Sequence, residues 1–273
     1  HCGAPPAGRE PAFAAFSRKV MKVFRYDRSF EGLLTALFDA YVRRTFPEAL
    51  IGEGEPELMF SGEVHTVSTS AEKAARVWTG LQRKSSRGVC NMLLHVWLSE
   101  EAGSDLLLMR CMRRVFDAGR DAAADFTDGD MLRARQIAGR VAREREHLLQ
   151  FVRFQKAADG TFYAPVSPAC NALPLAVAHF RDRFADQKWL IYDLKRGYGY
   201  YYGLETVTEV SLTDTDSLPG IRLDDGMMAE DEKFFQRLWK GYFDAMTIRE
   251  RINPRLQRQM MPKRFWRFLT EKQ

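Results

Sequence analysis

No run in this sequence approaches the roughly 18 apolar residues that a membrane-crossing helix needs, and the first twenty residues lack the apolar core of a secretory signal. Cysteine is scarce and scattered. Cys2, Cys90, Cys111 and Cys170 form no C-x-x-C pair, and no histidine stands at zinc-finger spacing. This argues against an intrinsic zinc site or iron–sulfur cluster, and it leaves no disulfide framework. A cytoplasmic protein with reduced thiols, no cofactor of its own and no membrane contact is the expectation. The common catalytic signatures are missing as well. There is no G-x-S-x-G, P-loop, G-x-G-x-x-G or H-E-x-x-H, and no H-x-E…P-C-x-x-C deaminase pattern. Any enzymatic activity must therefore rest on scattered residues.

What is present is an ordinary globular composition, 45% hydrophobic and 28% charged over 273 residues, with a formal charge of +5. The charge is segregated. Residues 133–156 carry seven Lys or Arg against Glu144 and Glu146, whereas 204–232 carry nine acids against Arg222. Between 249 and 267 there are seven Lys or Arg and one acid, interleaved with Phe265 and Trp266. Cations neutralise phosphates and exposed aromatic faces stack on bases, so this mixture suits a polynucleotide surface.

The hydrophobic periodicity predicts an α+β fold, mostly helical, with a small antiparallel sheet built as a hairpin or meander and an N-terminal β-α-β-α unit. Residues 1–20, rich in Ala, Pro and Gly, read as a flexible extension. Residues 21–273 read as one domain, with the acidic link near 119–130 as the place for any subdivision. Strands are expected at 20–26, 63–69 and 161–166, and helices at 29–46, from 70, at 89–101, 105–118, 130–157 and 173–184. A hairpin, 189–194 with 198–202, turns through Lys195-Arg196-Gly197, and 205–212 extends it. A helix from about 230 is expected to bury Phe234, Phe235, Leu238, Trp239, Tyr242, Phe243 and Met246. Asn253-Pro254 and Met261-Pro262 mark two short helix starts whose free amides, with Arg255, Lys263 and Arg264, suit phosphate.

Certain residues carry chemistry. Glu144 falls on the apolar face of the 130–157 helix, where a carboxylate must be paired, hydrogen-bonded or protonated. It is either ion-paired with Arg140 or an arginine elsewhere, or it forms an acid/base pair with His147 one turn on. His179 and Arg183 share a helix face and, with Lys195 and Arg196, suit a phosphate grip if they converge. Otherwise they are a solvated face and a charged turn. Tyr198, Tyr200 and Tyr202 point to one side of their strand, as core packing or as a stacking platform. Asp193 is a charge inside a strand, fixing the turn or acting in catalysis.

The order of segments resembles a bacterial family described as probable DNA metabolism proteins. The resemblance runs from about Met21 to Glu271 and rests on the landmarks Tyr26–Leu34, Arg143-Glu144-Arg145-Glu146-His147, Phe151–Phe154, Asn171–Leu175, His179-Phe180, Arg183-Phe184, Asp186–Asp193, Asn253–Gln257 and Met261–Trp266. It implies a gene beside a DNA-repair-type radical SAM protein, and in some members fusion to a uracil-DNA glycosylase-like domain. It implies a pathway rather than a reaction.

The expectation is a nucleic-acid-binding repair or modification factor that presents single-stranded or damaged DNA to a radical SAM partner, which supplies the iron–sulfur cluster and SAM. A uracil-DNA glycosylase-like protein is a further partner that the resemblance implies. Arg143, Arg183, Arg196, Arg251, Arg255, Arg258, Lys263, Arg264 and Trp266 are the candidate nucleic-acid contacts. One alternative is an enzyme acting on a nucleobase or its sugar bond through Glu144, His147, His179 and Asp193. Another is an adaptor that binds protein without touching DNA.

Overall fold

Ser29 shows how locally the first helix is specified. Its Oγ accepts from Gly32 N at 2.8 Å, while Asp27 Oδ1 takes both the amide and the hydroxyl of Ser29, at 2.9 and 2.7 Å. This N-cap joins strand β1 (Met21–Tyr26) to helix α1 (Phe30–Val42). The Tyr26–Leu34 landmark is thereby a strand-to-helix joint. The computed structural model describes residues 21–56, 61–118, 128–211, 223, 226–247 and 253–272. The N-terminal extension, most of the 119–130 link and of the acidic loop, and Arg251 lie outside the described residues.

The chain divides into two compact units, His1–Gly80 and Leu81–Gln273. In the first, β2 (Ala49–Gly52) and β3 (Ser61–Thr66) flank β1, both parallel to it, and helix α2 (Ala71–Lys84) follows. The expected β-α-β-α order is present with one strand more. β2 escapes the sequence because four residues, two of them Ala and Gly, make no alternating pattern. The parallel pairing corrects the expectation of antiparallel strands alone. Here a helix-containing crossover separates β1 from β2, as parallel neighbours require.

The second unit holds helices α3 (Arg87–Leu98), α4 (Ser104–Ala118), α5 (Gly129–Phe151) and α6 (Leu173–Arg183). Its sheet, in the order β4-β5-β6-β7-β8, comprises Gln155–Lys156, Phe162–Val166, Trp189–Asp193, Tyr198–Tyr202 and Val207–Val210. The β6–β7–β8 meander is antiparallel as expected, and β5 pairs with β6 in parallel. The fold is α+β and mostly helical. Asp128 caps α5, accepting from Met131 N at 2.8 Å. The helix ends at Phe151, because Val152 turns extended (ψ 130°), and Gln155–Lys156 joins the sheet where helix was expected.

One face of this sheet packs Trp189, Ile191 and Tyr202 against Leu148 of α5 and Leu173 and Phe180 of α6. At Gly199 the strands approach so closely that an added Cβ would meet Ile191 O at 2.4 Å, which only glycine avoids. Beyond the meander, α7 (Glu232–Met246), α8 (Pro254–Met260) and α9 (Lys263–Trp266) complete the unit. α7 corrects another expectation. Phe234, Phe235, Leu238, Trp239, Tyr242 and Met246 are exposed by 41–64% and not buried, so the stripe is amphipathic but uncovered by the described residues. The side chain of Phe243 lies outside the described residues.

Candidate functional site

The cationic tail meets α5 through an apolar contact. Phe265 and Leu269, 3% and 0% exposed, pack on Phe151, and Trp266 closes the cluster from the side. Fully burying such a side chain contributes about 1.5–3 kcal/mol, enough to fix so short a helix as α9 in place. Arg264, next in sequence to Phe265, is thereby aimed at the exposed shoulder of α5. Asn253 Oδ1 caps α8 by accepting from Leu256 N at 3.0 Å, as the Asn-Pro pair predicts.

Arg264 Nη2 donates to Glu144 Oε2, and the other carboxylate oxygen accepts from Ala169 N at 2.7 Å. His147 Nδ1 stands 3.3 Å from Glu144 Oε2. The same Nδ1 also lies 3.5 Å from Arg264 Nη2, so it faces the carboxylate, which accepts, and the guanidinium, which donates. The imidazole is held between Phe151, stacked at 5.9 Å, and Phe265, edge-on at 5.5 Å. Glu144 is 4% exposed, and its inward position on α5 is satisfied by an arginine 120 residues away. Arg140, the nearer candidate, pairs instead with Glu101.

These groups line one cavity of about 450 Å³, together with Arg140, Arg143 and Cys170. Of the three guanidinium groups on its wall, Arg140 and Arg264 pair with the wall carboxylates Glu101 and Glu144, so Arg143 is the one that favours an anionic occupant, within reach of the Glu144–His147 pair. Arg143 Nε donates only to Gly139 O, at 3.2 Å, so its charge has no carboxylate partner among the described residues. Cys170 is no nucleophile here: burial, and then the nearby charge of Glu144, push its thiol up to about 11. Among the described residues no three His, Cys, Asp or Glu side chains gather as a metal site.

The other candidates lie elsewhere. Asp193 is fully buried, accepts from the amides of Lys195 and Arg196 at 2.9 and 3.3 Å, and takes Arg196 Nη1 at 2.7 Å. Arg196 also grips both oxygens of Glu100 and donates to Pro168 O. Its side chain is 10% exposed, so the hairpin turn is cross-linked rather than presented to a ligand. The grip expected of His179, Arg183, Lys195 and Arg196 is not assembled: His179 is exposed at the edge of the Phe180 ring, and Lys195 Nζ donates to Ala169 O at 3.2 Å. Of the four candidate catalytic residues, Glu144 and His147 share the cavity, while His179 and Asp193 are not among its lining.

The tyrosines are committed to structure. Tyr202 lies tilted against Trp189 and donates to Ala185 O and Leu204 O, Tyr198 donates to Asn171, and Tyr200 to Glu209. Trp266 donates from Nε1 to Met261 O and lies under Lys272. In the tail Arg258 donates only to Pro254 O, whereas Arg255 and Lys263 are exposed with no ion pair among the described residues. Sequence reasoning missed Glu101 and Ala169 as parts of the site. Glu101 carries no motif, and Ala169 acts through its backbone amide.

Fold and site together define an α+β protein with a basic, arginine-walled cavity at the junction of a long helix and a docked tail. The sequence model of a family described as a domain of unknown function, DUF4130, matches residues 102–271. The chain belongs to that family, and the matched segment contains α5, the Ala169 loop and the tail that together build the cavity. No curated protein and no solved structure matches it.

Proposed function

We propose that this protein binds nucleic acid as a DNA repair or modification factor working with a radical SAM partner. The observation that carries the reading is the set of cations without an ion pair among the described residues, Arg143 at the cavity and Arg255 and Lys263 in the adjoining tail. An unpaired surface cation releases a counterion on meeting a phosphate, which gives affinity without sequence preference. The resemblance to DNA metabolism proteins supplies the pathway. The cluster and SAM are assigned to the partner, since the cysteines here are scattered, and a uracil-DNA glycosylase-like protein is a further candidate partner.

The experiment is fluorescence anisotropy of labelled single- and double-stranded DNA over a salt series. Affinity is expected to fall linearly on logarithmic axes, with a slope reduced by about one for each phosphate contact removed, as in Lys263→Glu or Arg143→Glu. Absence of binding at low salt, or binding indifferent to salt, refutes the reading.

The Glu144–His147 pair favours a second reading, an enzyme acting on a base or its sugar bond. His147 would be the acid/base group, with Glu144 as the residue that positions its ring. His147→Gln abolishing turnover on a damaged-base substrate while preserving DNA affinity is the result this reading expects.

A further inference from the structure

A second recess, of about 970 Å³, lies among the ends of α5 and α6, the uncovered face of α7 and Thr270. That volume is near the upper end of the about 300–1,000 Å³ usual for ligand sites. Its apolar lining is five rings, Phe154, Phe184, Phe235, Trp239 and Tyr242, against one aliphatic side chain, Leu238. Phe154 and Phe184 are braced edge to face at 5.2 Å, and Trp239 is fixed by donating from Nε1 to Glu271 at 3.0 Å. Phe235, Trp239 and Tyr242 nevertheless leave 55%, 41% and 57% of their surface open.

The polar groups of the recess are unequal. Glu232 is satisfied within the protein, accepting from Gln236 Nε2 at 2.9 Å and Lys156 N at 3.1 Å. Arg153 pairs with Glu271 at 2.9 Å, and its buried Nε meets no acceptor among the described residues. Arg183 lines the recess, is exposed, and makes no ion pair or hydrogen bond among the described residues. The bonds to Glu232 come from uncharged donors and leave its charge in place, but Glu232 is 8% exposed whereas Arg183 is open to solvent. The guanidinium beside held, open aromatic rings is thus what meets a phosphate with an unpaired base.

We propose that this recess is a stacking site for single-stranded nucleic acid, with bases against Trp239, Tyr242 and Phe235 and a backbone phosphate on Arg183. The inference rests on the nucleic-acid reading and gives it a strand preference. Bases inside a duplex have both faces covered, so rings of this kind reward only unpaired ones. Aromatic rings also anchor protein partners, so it is Arg183, without an ion pair among the described residues, that favours a phosphate-bearing chain.

The test is anisotropy of labelled oligothymidylate and of a duplex of equal length, using the full chain. Trp239→Leu, the double variant Phe235→Leu/Tyr242→Leu, and Arg183→Glu are compared with Lys263→Glu. Each ring variant is expected to weaken single-strand binding about tenfold and to leave duplex binding unchanged, whereas Lys263→Glu weakens both. Trp239→Leu also removes the bond to Glu271, so if its melting curve changes, the Phe235/Tyr242 pair, exposed side chains, carries the comparison. Photocrosslinking of iododeoxyuridine-substituted single strands to the wild-type chain adds a readout free of mutation, with cross-links expected in peptides spanning 232–246. Ring variants that bind both DNAs as the wild type does, with cross-links confined to the tail, overturn the stacking site and spare DNA binding. Ring variants that lose a protein partner while binding DNA normally also overturn it. A wild-type chain that binds neither DNA sinks both readings.

Discussion

Replacing Glu144 by Gln tests whether the tail is locked to α5 by charge. The carboxylate is 4% exposed and takes Ala169 N on one oxygen and Arg264 on the other. Gln offers one acceptor and one donor group, so either Ala169 N–H or Arg264 faces a donor. A hydrogen bond to a charged group contributes about 1.5–3 kcal/mol, and breaking a fully buried pair costs about 3–5 kcal/mol. The Arg264 side chain is 40% exposed, so water restores part of the loss, and about 2 kcal/mol is expected for Glu144→Gln. Arg264→Met leaves a buried carboxylate with Ala169 N and His147 alone and should cost a similar amount. The double variant removes the conflict, so its cost should fall short of the sum by about 1–2 kcal/mol. Urea denaturation followed by tryptophan fluorescence gives the three values, and limited proteolysis after Lys263 or Arg264 reports release of the tail. A Glu144→Gln protein within about 0.5 kcal/mol of wild type, or single effects that simply add, would show that apolar packing alone holds α9.

Three other outcomes follow from buried charges. Asp193→Ala leaves Arg196 with Glu100 alone and removes the acceptor of the Lys195 and Arg196 amides, and should cost about 1–3 kcal/mol by denaturation; a near-neutral effect would contradict the cross-linked hairpin. Glu271 has its carboxyl held below its ordinary 4.5: burial pushes it up, but its own amide, Trp239 and Arg153 outweigh that. A lowered folded value means the stabilisation is complete above the ordinary value and is lost as pH falls through the lowered one, so acid should release the tail. Glu271→Gln should flatten that acid limb in a proteolysis-versus-pH series, and an unchanged limb would assign it to another group. Cys170, pushed up to about 11, should resist iodoacetamide at neutral pH in the native protein and react on denaturation, which peptide mapping reads directly.

The legible parts of the fold are those written within a few residues. The Ser29 cap, the β6–Gly–β7 hairpin and the Asn253-Pro254 helix start depend on neighbours close in sequence, so their signals survive without the fold. The long α5 helix was legible in its apolar face but not in its end, because Val152 leaves the helix to let Gln155 pair with Tyr163, a demand of the sheet rather than of local propensity. Glu144 stood out as a charge on an apolar stripe, and its need for an arginine followed from desolvation. Which arginine did not, since Arg264 is 120 residues away. α7 shows the converse limit: periodicity reveals an apolar face but not whether anything covers it.

The basic residues of this protein do not contribute equally to its field, and that bears on what a polyanion would meet. Arg140, Arg196 and Arg264 already face carboxylates, so at a distance their charge is largely cancelled. Among the candidate contacts, Arg143, Arg183, Arg255, Arg258 and Lys263 make no ion pair among the described residues, and they add most to the long-range attraction. A phosphate drawn in by these groups and entering the cavity would compete with Glu144 for Arg264. If it wins, Glu144 keeps Ala169 N and its contact with His147 Nδ1, so anion binding and the acid/base pair would share one ion pair as their switch.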